Sequence, residues 1–360
     1  MMQFYTVFAI NPGSTSTKIG LFRNETELWV QNLVHREQEL REHEKIGEQL
    51  AYRKERILEA LKESGHDVSE LSAIVGRGGM LPPVQAGGYT VNQCMRERLQ
   101  KSPTGFHASN LGALIADAIA KPLAIPAYIY DAVSADELYE IAHITGIPEV
   151  SRQSFCHVLN AKATCRQAAE KTGRRYQDMN FLVAHLGGGI SISAHEKGKI
   201  VDVITDDAGP FSPERSGSIP LRTIVDMCYS NEYAHKDMVY KLRGMGGLKA
   251  HLGTHDCREI EEMIADGDEY AAKVYEAFAY QISKGIGELA PVLKGRVDMI
   301  ILTGGVAYSQ MITDWVTERV SFIADVEVIP GENELASLAL GALRILRGEE
   351  SAHEFLELRT

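Results

Sequence analysis

Apolar residues in this chain come in short blocks separated by glycine and hydroxyl turns, and the first block sets the pattern. From Phe4 to Phe22, a run carrying Val7, Phe8 and Ile10 leads into Asn-Pro-Gly-Ser-Thr-Ser-Thr-Lys and then into a second run carrying Ile19, Leu21 and Phe22. The β-branched and aromatic content of both runs predicts strands, and Asn-Pro-Gly continues neither a helix nor a ladder, so the stretch reads as a hairpin. A polar turn at Arg23 to Thr26 and a third strand, Leu28 to Val34, follow. The layout recurs half a chain later: Phe181 to Leu186, the triplet Gly187-Gly188-Gly189, Ile190 to Ala194, a turn at Lys197 to Lys199, and Ile200 to Ile204. Two strand-turn-strand-turn-strand units predict a duplicated α/β domain whose two turns face each other across a cleft.

Helical spacing is predicted over 35–63, with Leu50, Ile57, Leu58 and Leu61 as the buried stripe, and over 110–121, 221–229, 258–266, 269–293 and 335–347. In the longest of these, Val274, Phe278, Ile282, Ile286 and Leu289 recur at helical intervals and read as core. Strands predicted at 71–75, 124–130 and 299–302 deliver polar chemistry at their carboxyl ends: Gly76-Arg77-Gly78-Gly79, Asp131 and Thr303-Gly304-Gly305. Binding at the carboxyl edge of a sheet is the logic of α/β folds. The aperiodic stretch 206–220 holds Arg215 among prolines and glycines, and loops of that length are usually functional or mobile.

Length changes the picture first, because 360 residues suffice for two domains with separate cores. Charge comes next: 37 Lys and Arg against 49 Asp and Glu give −12, which argues against a nucleic-acid or acidic-membrane partner. An anionic substrate must then be held by a few local cations. Five cysteines without a Cys-x-x-Cys pair fit reduced thiols better than a disulfide framework or a zinc knuckle. His251 and His255 lie four apart without the glutamate of a zinc helix. No basic leader precedes an apolar core and no apolar run approaches a bilayer span, so a cytoplasmic location is expected.

The chemistry these turns offer is phosphate binding. Gly13 allows close backbone approach, and Ser14 to Lys18 supply four hydroxyls, several amides and one cation. The Walker spacing is absent and a strand follows, so this is not a P-loop. With Gly187 to Gly189 and Gly304-Gly305, three such turns could surround one polyphosphate. Arg77 and Arg215 suit phosphoryl transfer, since a guanidinium stays protonated and grips an anion edge with two hydrogen bonds.

Taken in order, Asn11-Pro-Gly-Ser-Thr-Ser-Thr-Lys18, Gly76-Arg-Gly-Gly79, Asp131, His157, His185-Leu-Gly-Gly-Gly189, Arg215-Ser-Gly-Ser218 and Pro330-Gly-Glu-Asn-Glu334 resemble the motifs of the acetokinase family, above all its butyrate kinase branch. The resemblance covers nearly the whole chain. It implies the duplicated fold of actin, hexokinase and sugar kinases (ribonuclease H-like), with domain I at 1–150 plus 335–360, domain II at 151–334 and a nucleotide cleft. It also implies reversible phosphoryl transfer between ATP and a short-chain carboxylate, with Mg²⁺, and a homo-oligomer.

Carried over by position, Arg77 and Arg215 contact the phosphoryl group or the carboxylate, and His157 donates to the phosphoryl group. A carboxylate nucleophile is already ionised and needs no base. Phe106 and His107 fall near the substrate. Asn11, Ser14, Thr15, Lys18, His185 and Gly187 to Gly189 fall on the phosphates, with Gly304 and Gly305 toward the adenosine. Asp131 orients magnesium or its waters, with Asn11; the family's magnesium-linked glutamate aligns with Asn333, leaving Glu332 or Glu334 as the substitute. Gly78, directly after Arg77, and Cys156, where acetate enzymes carry an aromatic, predict an acyl pocket roomy enough for butyrate. The competing readings are an acetate or propionate kinase, a sugar or polyol kinase using Asp131 as base, and a non-catalytic actin-like assembly protein.

Overall fold

A computed structural model describes residues 4–42, 46–101 and 108–356. In chain order the first elements are strands β1 Thr6–Pro12, β2 Ser16–Arg23 and β3 Thr26–Val34, helices α1 Glu37–Glu42 and α2 Ile46–Glu63, strands β4 Ala73–Arg77 and β5 Gly88–Thr90, helices α3 Gln93–Lys101 and α4 Asn110–Ala120, and strand β6 Ala127–Tyr130. Then come α5 Val158–Lys171, β7 Asn180–Leu186, β8 Ile190–Glu196, β9 Lys199–Ile204, α6 Leu221–Cys228, α7 His235–Arg243, α8 Gly247–Leu252, α9 Cys257–Ala265 and α10 Glu269–Leu289. The last are β10 Met299–Gly304, α11 Gln310–Val320, β11 Val326–Pro330, α12 Glu334–Leu346 and β12 His353–Glu354. These elements form two compact units, residues 1–136 with 333–360 and residues 137–332.

Each unit is built on its own sheet. The first has the order β12-β5-β6-β4-β1-β2-β3 and the second β11-β10-β7-β8-β9. In both, the first three strands of the unit pair antiparallel and the next parallel strand adds to the other side of the first. The likeness extends to register. Pro12 faces Thr17 and Leu186 faces Ile190 at the two hairpins, and four residues further on, at Leu21 and at Ala194, both ladders to the third strand slip. A bulge at the same place in both sheets is a shared design feature rather than a defect. By this register Asn11 corresponds to His185 and Arg77 to Thr303.

Central strands are apolar throughout because both faces are covered. All seven residues of β1 are buried, whereas the edge strand β3 is mostly exposed. The first core gathers Phe8, Ile10, Ile19, Ile57, Leu61, Ile74, Leu111 and Ile115; the second gathers Leu182, Ile192, Ile300 and Leu302 against α10. Val274, Phe278, Ile282, Ile286 and Leu289 are all buried along α10, as their spacing predicts.

Several elements differ from expectation. Of the helix expected over 35–63 the described residues give Glu37–Glu42 and Ile46–Glu63, and the buried face of α2 is Gln49, Arg53, Ile57, Ala60 and Leu61, with Leu50 and Leu58 only half-buried. The inner face includes polar residues because Arg53 serves the β1–β2 turn. The strand expected from 124 begins at Ala127, since Lys121–Leu123 forms a 3₁₀ turn that ends on Ala124 with φ +53°. Residues 137–150 pack with the second unit, where Glu137 pairs with Lys162 at 2.6 Å and Tyr139 N–H donates to Val201 O at 3.0 Å.

Candidate active site

In the first unit the carboxyl ends of β1 and β4 meet the start of α12. Glu334 opens that helix, where the dipole favours a carboxylate. Asn11 Nδ2 donates to Glu334 Oε2, and Arg77 Nη1 lies 3.2 Å from Glu334 Oε1 and 3.5 Å from Asn11 Oδ1. Glu334 is nearly buried, while about a quarter of Arg77's side chain, 26%, stays open. Close backbone packing fixes the arginine: a Cβ on Gly76 would lie 2.2 Å from Gly112 O of α4, and one on Gly112 would lie 2.3 Å from Arg77 O. Ser14 and Thr15 stand exposed at the hairpin tip. Lys18 is exposed and sits opposite Asn11 in the β1–β2 register, which puts the two side chains on one face.

Two expectations for this unit change in meaning. A Cβ on Gly78 would meet Ala132 Cβ at 2.6 Å, and one on Gly79 would meet Asn110 Oδ1 at 2.6 Å. The absent side chains are therefore used for packing, so Gly78 gives no support for a widened acyl pocket. Asp131 is buried with φ +43°, and it exchanges bonds with Gly87: its Oδ1 accepts from Gly87 N–H at 2.9 Å and its own N–H donates to Gly87 O at 3.0 Å. Asp tolerates this left-handed conformation better than most residues. Phe106 and His107 lie outside the described residues.

The second unit carries a comparable junction at the ends of β7 and β10 and the start of α5. Asn160 Nδ2 donates to His185 Nδ1 at 2.9 Å and reaches Thr303 Oγ1 at 3.1 Å. That bond assigns the His185 ring proton to Nε2, which lies 2.9 Å from Glu332 Oε1 at an angle short of a straight hydrogen bond. His157 stacks on His185 with ring centroids 3.7 Å apart and an interplanar angle of 11°, and its Nδ1 is 2.9 Å from Ser191 Oγ. Glu332 and Glu334, two residues apart, thus occupy different surroundings: one beside an imidazole, the other beside a guanidinium.

Arg215 lies over the glycine triplet, where a Cβ on Gly189 would be 2.6 Å from Nη1. Buried Asp206 pairs with Arg215 and, at 3.0 Å, with Arg243, and the Arg215 side chain is 29% open. Burial, and secondly the nearby Arg243, lower the Arg215 pKa from its ordinary value. Ser212 ties the loop to the triplet by donating from Oγ to Gly188 O at 2.6 Å and accepting from Arg215 N–H at 3.1 Å. Gly304, at φ +90°, packs where a Cβ would lie 2.4 Å from Leu186 O. Cys156 is buried, and burial pushes its thiol up to about 12.

A cavity of about 520 Å³ opens between Gly187-Gly188 and Gly305, walled by Asp256, Arg258, Glu261 and Tyr308. A second, apolar cavity of about 570 Å³, lined by Phe211, Ile224, Met227 and Leu242, includes His251 but neither Arg215 nor the glycine triplet. His251, one of the paired histidines, bonds Tyr270 OH at 2.9 Å. Asn160, Ser191, Asp206 and Arg53 escaped sequence reasoning. Only Asp206 left a trace there, as the first acid of the aperiodic Arg215 loop.

With this geometry in hand, comparison places the chain. The acetokinase family profile matches residues 134–359, well over half the chain. The chain belongs to the acetokinase family. Family membership supports a kinase that binds ATP and acts on a carboxylate. Among solved structures, the acetate kinase of Porphyromonas gingivalis superposes with a TM-score of 0.78 at 20% identity, covering 95% of this chain and 100% of that one. A propionate kinase from Francisella tularensis gives 0.77 at 18%, covering 94% and 98%. A ROK family protein from Streptococcus pneumoniae gives 0.53 at 14%, covering 96% and 100%. The fold is therefore the duplicated actin-like fold of these kinases. Among the described residues no helix is long and apolar enough to cross a membrane.

Proposed function

We propose that this acetokinase-family protein transfers a phosphoryl group reversibly between ATP and a short-chain carboxylate, with butyrate as a preferred acyl group. The observation that carries the reading is a matched pair of arginines. Arg77 rests on nearly buried Glu334 and Arg215 on buried Asp206, and each keeps between a quarter and a third of its side chain open. An arginine anchored on one carboxylate, with part of its fork still open, is pre-organised to grip a second anion. Arg77 and Arg215 neutralise charge on the transferred phosphoryl group and the substrate carboxylate, and His157 donates to the same charge. The substrate oxygen attacks phosphorus as a carboxylate, so no base is required.

The exposed hydroxyls of Ser14 and Thr15 and the Gly187 to Gly189 turn serve the phosphates, while the cavity beside Gly305 suits the adenosine. Asn11 and Glu334 offer the hard oxygen donors that a nucleotide-borne Mg²⁺ takes directly or through its waters. When bound, the ion supplies neutralisation of phosphate charge. Among the described residues no cluster of three or more His, Cys, Asp or Glu side chains could hold a metal unaided, which fits an ion that arrives with its nucleotide.

A sugar or polyol kinase would need a base for a neutral hydroxyl. Asp131, the candidate for that task, commits one oxygen to the Gly87 amide. Hydroxylamine trapping of acyl phosphate tests the reaction, with acetate, propionate, butyrate, isobutyrate, glycerol and glucose compared as acceptors in a coupled ADP assay. Hydroxamate from short carboxylates and no ADP from glycerol or glucose is the expected result. ATP binding without any acyl phosphate would favour an assembly protein.

A further inference from the structure

Behind the hairpin tip of the first unit sits a buried cation. Arg53, on α2, is 1% exposed, and its Nη1 donates to Gly13 O at 2.9 Å, Ser16 O at 3.1 Å and Thr17 Oγ1 at 3.0 Å. Its Nη2 donates to Ser14 O at 3.2 Å. The remaining carbonyl of the tip, on Thr15, accepts from His35 N–H at 2.9 Å. Every carbonyl from Gly13 to Ser16 is therefore drawn onto a donor of the protein. In a planar trans peptide the C=O and the following N–H point in opposite directions. The N–H groups of Ser14, Thr15 and Ser16 are accordingly turned away from these donors, and Ser14 and Thr15 are exposed. Successive outward amides form an anion-binding concavity.

No carboxylate among the described residues pairs with Arg53, and its Nε has no acceptor. Burial lowers its pKa to about 10, with only Tyr52 opposing. Burying an unpaired cation is costly, and the cost falls when an anion comes near. His35 completes the back wall, its Nε2 lying 2.8 Å from the Thr17 hydroxyl that Arg53 also holds.

We propose that Arg53 is a positioning residue whose counter-ion is the phosphoryl group itself: it turns the tip carbonyls inward, sets the tip amides outward and adds its charge through the turn. This rests on the reading above that the tip receives a phosphoryl group. The arginine acts through the backbone without touching substrate, which distinguishes it from Arg77 and Arg215.

Calorimetric titration of Mg²⁺-ATP and of adenosine into wild type, Arg53→Met and Arg53→Lys tests it, with circular dichroism confirming the fold. Losing a charge-assisted set of bonds should weaken ATP roughly tenfold to a hundredfold in Arg53→Met while leaving adenosine unchanged. Arg53→Lys keeps the charge and should stay within about fivefold of wild type, a rescue that a purely steric role would not give. Equal losses in both variants, or none in either, overturn the proposal. Should Arg53→Met fail to fold, the lysine variant decides, and a loss beyond about fivefold overturns it. Hydrogen exchange on the wild type separates the two levels. ATP, but not adenosine, should slow the amides of Ser14 to Ser16. Protection there with a normal Arg53→Met removes only the role of Arg53, whereas no protection removes the phosphate reading of the tip and the proposal with it.

Discussion

Arg215 occupies the space that a side chain on Gly189 would need: a Cβ there would lie 2.6 Å from Nη1 and 2.7 Å from Cζ. The obstructing group is the end of a flexible side chain, so Gly189→Ala should displace the guanidinium at little cost to the fold. The expected outcome is a melting temperature within about 2 °C of wild type and a kcat lower by roughly tenfold or more. A variant with normal turnover would show that the arginine is not needed in that place.

Removing either guanidinium outright should cost more. Arg77→Ala and Arg215→Ala are each expected to lower kcat on the order of a thousandfold with the fold intact, the scale of a phosphoryl-stabilising arginine. Asp206→Asn should lower stability as well, because the buried carboxylate serves both Arg215 and Arg243. Steady-state kinetics beside thermal melts distinguish these outcomes.

Two adjacent glycines should behave differently. Gly304 has φ +90° and a Cβ there would clash with Leu186 O, whereas a Cβ on Gly305 would meet nothing within 4 Å. Gly304→Ala should destabilise by roughly 2 kcal/mol or more. Gly305→Ala should melt like wild type and change nucleotide affinity instead, since Gly305 lines the 520 Å³ cavity. Melting curves and ATP titrations of the pair check both halves.

Acyl-chain preference offers a sharper test now that Gly78 is seen packed on Ala132. Each buried methylene contributes about 0.8 kcal/mol, so butyrate should exceed acetate in kcat/KM by roughly tenfold if the pocket holds two more carbons. Gly78→Ala should lower the melting temperature without changing that ratio. An acetate efficiency equal to or above that of butyrate would refute the butyrate assignment.

Stability should fall on acidification through an identifiable group. His35 is buried, and burial, then Arg53 and Arg56, depress its pKa from 6.5 to about 4. The unfolded chain therefore binds more protons between those values, so the stabilisation is full above pH 6.5 and is lost as pH falls toward 4. A shift of this size corresponds to about 3 kcal/mol. His195, fully buried beside Tyr176 and Ser193, is also lowered by burial and adds to the slope in the second unit. Urea melts of His35→Gln across this range should show a shallower loss than wild type; an unchanged slope would exclude His35 as a source.

The architecture was legible because it is written in local signals. Apolar blocks bounded by Asn-Pro-Gly and Gly-Gly-Gly reveal the hairpins, and their recurrence reveals the duplication. The arginines stood out because each lies in a glycine-rich stretch at a strand end or in a long loop. Partners distant in sequence did not. Nothing near Asn11 itself announces Glu334, 323 residues away, and only the family resemblance put Glu332 or Glu334 with it; Asn160 looks like any polar residue in the first turn of a helix. Arg53 was passed over for a physical reason: periodicity picks out apolar residues for the inner face, and here the turn carbonyls satisfy a charged one inside. Gly78 was misread because a missing side chain can leave room for a ligand or for a neighbour's backbone, and sequence does not say which.

Helix α12 has a consequence for how the chain comes into being on the ribosome. The second unit is one continuous stretch, 137–332, but the first needs residues 333–360 to cover β1, β4 and the Asn11–Arg77 junction with Leu335, Leu338 and Glu334. The portion made first is thus the portion finished last. Its sheet must wait with an uncovered apolar face while 196 further residues emerge. A nascent chain halted before residue 333 should hold a protease-resistant second unit beside a protease-sensitive first one. Adding a peptide spanning 333–360 should then restore resistance without any change elsewhere.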